Sequence, residues 1–96
     1  MLFGNKEQST GVILDISSAR VGAAAVIYSV SGPPTVVFAE QILLQSDDVP
    51  SASALFEQMK RAASTLLGHI ADRGAVRLKE CAGRSKIDRV DVVYAS

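Results

Sequence analysis

A chain of 96 residues, 48% of them hydrophobic, has material for one modest core, which argues for a single domain over 1–96. Its 10 Lys and Arg balance 10 Asp and Glu, so the basic surface that grips a nucleic-acid backbone is missing and no nucleic-acid partner is expected. No apolar run approaches the roughly 18 to 20 residues that cross a bilayer, and no secretory leader opens the chain, which points to a cytoplasmic protein without membrane insertion.

Met1 to Thr10 is a polar leader, and the run Gly11-Val12-Ile13-Leu14-Asp15-Ile16 after it is short, branched and apolar, as suits a strand covered on both faces. Ser17, Ser18 and Ala19 interrupt that run, and Arg20 to Tyr28 resumes it as a second strand whose small residues favour close packing. Ser31-Gly32-Pro33-Pro34 signals a turn, because glycine permits unusual dihedrals and proline cannot donate to a ladder. Thr35 to Leu44 follows as a third strand and completes an antiparallel meander.

The character changes at Gln45-Ser46-Asp47-Asp48-Val49-Pro50, a polar loop. Leu55, Met59, Ala62, Leu66 and Ile70 then recur at three- and four-residue steps, the mark of an amphipathic helix that Ser51 or Ser53 could cap. Lys60, Arg61, Asp72 and Arg73 fall on its polar side. Two endings are open: Gly74 stops the helix, or Leu78 and Ala82 continue the stripe until Gly83 caps it. Cys81 is the only cysteine, so no intrachain disulfide forms, and it reads as a small buried apolar side chain. Ile87 to Ala95 alternates and then turns apolar, as a fourth strand entering a core does.

The order strand, strand, strand, helix, strand implies an α/β fold. Three hairpin-linked strands and a helical crossover place strand four beside strand one and parallel to it, giving a mixed sheet in the order three, two, one, four. Chemistry concentrates at the first hairpin, in Asp15, Ser17, Ser18 and Arg20. A carboxylate at a tight turn can hold a hydrated magnesium ion, and the turn's amides and hydroxyls can approach phosphate oxygens. The same residues also suit an ordinary hairpin, with Asp15 bonding the turn and the serines facing solvent.

Leu14-Asp15-Ile16-Ser17-Ser18-Ala19-Arg20-Val21-Gly22-Ala23-Ala24 resembles the first phosphate loop of the actin, sugar-kinase and heat-shock ATPase superfamily. With the leader Met1-Leu2-Phe3-Gly4-Asn5-Lys6, it is most similar to the type IV pilus assembly family of PilM and the related cell-division family of FtsA. The resemblance implies a ribonuclease-H-like, actin-like fold, ATP and magnesium as cofactors of the complete protein, and assembly proteins of a pilus or division machine as partners. Asp15 would organise magnesium through water, Ser17 and Ser18 would face the outer phosphates, and Arg20 would take the family's basic position. Ser17 stands where the family carries glycine. A second phosphate loop, an adenosine-binding segment and a second lobe would lie beyond Ser96, so the expectation is a truncated subdomain, inactive as an isolated chain.

Two other readings compete. Asp15 with Arg20-Val21-Gly22-Ala23-Ala24 is also similar to YqgF-type Holliday-junction resolvase-like nucleases, which need further carboxylates beside Asp15. Glu57 is the candidate, while Asp88 and Asp91 are expected to point elsewhere. The other alternative is a non-catalytic interaction module on the same fold. His69 and the group Arg84, Ser85, Lys86, Asp88 and Arg89 read as solvated positions. Finally, strand four is an open edge carrying Val90, Val92, Val93 and Tyr94, and one helix shields one face only, so self-association is expected.

Overall fold

Branched and small apolar residues build a first strand β1 (Gln8–Ile16), a second β2 (Arg20–Ser29) and a third β3 (Gly32–Leu43), with β4 (Arg89–Tyr94) following the helical region. These elements belong to a computed structural model of the chain, which describes residues 8–17, 19–30, 32–44, 52–83 and 86–94. The strands form one mixed sheet in the order β3-β2-β1-β4. β1 runs antiparallel to β2 and parallel to β4, and β2 runs antiparallel to β3, as the order of elements requires.

β1 begins at Gln8, ahead of the expected Gly11, because the ladder to β2 continues through Gln8↔Ser29. Pro33 and Pro34 lie inside β3, where a turn was expected. Proline is tolerated there because β3 is an edge strand, and the pairing shifts register between Ile27 and Ser29 beside it. Ser51 and the loop at 45–50 lie outside the described residues, and Ser53 sits within the helix. Ala95 also lies outside them.

The helical region passes through Gly74 to Gly83, which settles the two endings. It comprises α1 (Ala52–His69), a π segment at Ile70–Gly74 and α2 (Ala75–Ala82). Its buried positions explain the π segment. Ala62, Leu66, Ile70, Gly74 and Leu78 are buried and Ala82 packs against them, in steps of four. At 3.6 residues per turn each such step overshoots by about 40°, so a uniform α-helix would carry the stripe roughly 200° around its axis by Ala82. A wider turn at Ile70–Gly74 opposes that drift and keeps Leu78 on the sheet. Gly74 belongs to the contact, since a Cβ there would lie 3.4 Å from Ile70 and 3.6 Å from Ala25.

Gly83 ends the helix with φ 80°, and its N–H donates to the Lys79 carbonyl at 2.9 Å. Gly83→Ala should therefore cost about 1 kcal/mol, because an L side chain is strained in the left-handed region. The measurement is a lowered urea midpoint with unchanged slope. Cys81, expected to be buried, is exposed on α2.

Alternation sorts the sheet into two faces. Val12 and Leu14 of β1 and Val21, Ala23, Ala25 and Ile27 of β2 meet the helix stripe to form the core. A helix about 10 Å wide spans roughly two strands at ~4.8 Å spacing, and α1 and α2 lie across β2 and β3. β4 is consequently left at the rim, with Val90, Val92, Val93 and Tyr94 exposed. Thr10, 1% exposed, anchors its start: the Thr10 amide donates to Asp88 Oδ2 at 2.8 Å, its hydroxyl donates to the Lys86 carbonyl, and Asp88 N–H returns to the Thr10 carbonyl at 2.8 Å. Asp88 remains exposed, as expected of a solvated connection, and is in addition a structural acceptor for β1.

Candidate functional site

The first hairpin stands at the carboxyl end of β1, beside the carboxyl end of the parallel strand β4. Asp15 is the last residue but one of β1 and lies between Gly22 and Val93 in the neighbouring strands, on the face away from the helices. Arg20 opens β2 and places its guanidinium 4.0 Å from the Asp15 carboxylate, where it also donates to Gln41 Oε1 at 3.4 Å. An open concavity of about 460 Å³ runs from these polar groups along the sheet, lined by Ile13, Gly22, Ala24 and Ala39. Its small side chains follow from the glycine and alanine content of β2.

Ser17 closes the turn by itself. Its amide donates to the Arg20 carbonyl at 2.9 Å, and its hydroxyl donates to the same carbonyl at 3.2 Å. Its Oγ accepts from the amides of Ala19 at 3.3 Å and Arg20 at 3.1 Å. Those amides are the donors that a phosphate would use, and here they serve the hairpin. Ser18 lies outside the described residues.

The donor set fits only part of a magnesium nucleotide. Asp15 suits the water shell of a divalent cation and Arg20 suits a phosphate oxygen, while the rest of the lining is small and apolar apart from Glu40 and Gln41. Among the described residues no three His, Cys, Asp or Glu side chains gather as a metal group. Glu57 pairs with Lys60 at 3.2 Å on α1, on the opposite side of the sheet from Asp15.

Asp91 does not join Asp15 but turns to other partners, Arg89 and Tyr28. It pairs with Ile13, which puts it on the Asp15 face of the sheet. There it accepts from Arg89 Nε at 3.1 Å and from the Tyr28 hydroxyl at 3.4 Å, and the Arg89 guanidinium stacks 4.8 Å from the Tyr28 ring centre. Arg89 is therefore held across three strands. A second contact that linear spacing does not reveal joins His69 Nδ1 to Glu40 Oε1 at 2.5 Å, with Arg73 4.0 Å from the same carboxylate. His69 is half-buried against β3, not a free helix position. No helix among the described residues is long and apolar enough to cross a membrane. No family model matches the chain, and neither a curated protein nor a solved structure matches it.

Proposed function

We propose that the chain is the first subdomain of an actin-like nucleotide-binding protein that serves as a cytoplasmic assembly scaffold in pilus biogenesis or cell division. The observation that supports this reading is the position of Asp15 near the carboxyl end of β1, beside the carboxyl end of the parallel strand β4, with Arg20 reaching it from the start of the antiparallel β2; ligands of open α/β sheets bind at such ends. In this reading magnesium-ATP meets the chain only through its phosphate end. Asp15 orients the hydrated cation, and Arg20 leaves its ion pair for a phosphate oxygen. Bound magnesium would supply charge neutralisation for the phosphates.

The test is an NMR titration of the labelled chain. Magnesium-ATP and magnesium-triphosphate should shift the amides of Asp15 and Ala19 to Gly22 weakly and in fast exchange. Adenosine should not, and Asp15→Ala should abolish the response. Absence of shifts with either phosphate compound would overturn the reading. The Ser17 hydroxyl favours a second one, a non-catalytic interaction module, because it already satisfies the turn's amides.

A further inference from the structure

We propose that two copies of this chain pair through β4, antiparallel and about a two-fold axis at Val92, into one sheet twice as wide. Among the described residues β4 is an edge strand whose outer N–H and C=O groups have no neighbouring strand, and its side chains Val90, Val92, Val93 and Tyr94 are between 47% and 77% exposed. Edges of this kind invite another strand unless charge, proline or a bulge blunts them. β3, the other edge, carries Pro33 and Pro34 and shifts register; β4 has neither, and its two charges, Arg89 and Asp91, pair with each other at 3.1 Å.

Charge and alternation select the register. With Asp91 opposite Asp91 of the second copy, two carboxylates would meet directly, which is unfavourable. Shifting by one residue would set Val90, Val92 and Tyr94 of one copy beside Arg89, Asp91 and Val93 of the other. Centring on Val92 avoids both: Val90 meets Tyr94 of the second copy, Val92 meets its counterpart, and Asp91 lies against Val93 while its own Arg89 neutralises it. Area sets the strength. One strand of 6 residues is short against the roughly 800 Å² per partner of a standard interface, which places the pair among weak, concentration-dependent dimers. The Asp15 hairpin takes no part in the pairing, so the proposal stands apart from the nucleotide reading.

Sedimentation of the whole chain at micromolar concentration should show a concentration-dependent dimer, and Val92→Lys should weaken it by about a hundredfold, a factor of ten from each copy. In a Cys81→Ser background, Val92→Cys should cross-link on oxidation because its counterparts face each other, and Val93→Cys should cross-link far less. Circular dichroism confirms that each variant keeps its fold. A wild-type monomer throughout the concentration range, a dimer indifferent to Val92→Lys, or equal cross-linking at Val92 and Val93 would overturn the proposal.

Discussion

Leu66→Ala should destabilise the chain by roughly 2–5 kcal/mol, the cost of removing a fully buried leucine and leaving a cavity behind. Leu66 is 1% exposed and packs in the core with Ala62 and Ile70, where α1 crosses the sheet. A domain of this size has only about 5–15 kcal/mol of total stability, so the variant should unfold at a much lower denaturant concentration. Leu67, the next residue, is 41% exposed and serves as the comparison. Leu67→Ala should move the midpoint far less. Equal shifts for the two would mean that the helix presents a different side to the strands.

Gly11→Val should cost about 1–3 kcal/mol through overpacking, with the damage centred on β4. A Cβ at Gly11 would lie 2.7 Å from the edge of the Tyr28 ring, 3.0 Å from Arg89 Cγ and 3.3 Å from the Arg89 carbonyl oxygen. Tyr28 cannot swing away freely, since Arg89 stacks on it and its hydroxyl reaches Asp91. Relief therefore comes from parting β1 and β4 at the Gly11↔Arg89 pair. Hydrogen exchange should show faster amides in β4 than in β2, and Tyr28→Ala in the same chain should recover part of the loss. An unchanged midpoint would show that the tyrosine yields without disturbing the ladder.

The strands and their order were legible because each hydrophobic run has the length and branching of a strand, and because hairpins and one helical crossover leave few topologies. Position along a strand was less legible. The parity that puts Asp91 on the Asp15 face depends on the pairing Ile13↔Asp91, and Asp88 and Arg89 gain their partners, Thr10 and Tyr28, only when distant strands align. His69 and Glu40 likewise meet only because α1 crosses β3. At the candidate site, Asp15, Ser17 and Arg20 were legible as a group, being neighbours in one hairpin. That the Ser17 hydroxyl would satisfy the turn's own amides was not, since it depends on the turn's backbone conformation rather than on residue type.

The π segment has a consequence for how the chain tolerates changes in length. The buried positions from Ala62 to Ala82 advance by four at every step, which is an α-helical pattern with one residue to spare. Deleting an exposed residue such as Asp72 would turn one of those steps into three and restore the ordinary alternation without rotating α2 about its axis. The same deletion within Ala52–His69, upstream of the wide turn, would turn the residues on its two sides by about 100° relative to each other and lift part of the stripe from the strands. Ile70–Gly74 is thus the stretch of the described helix where the loss of a single codon leaves the hydrophobic seam intact.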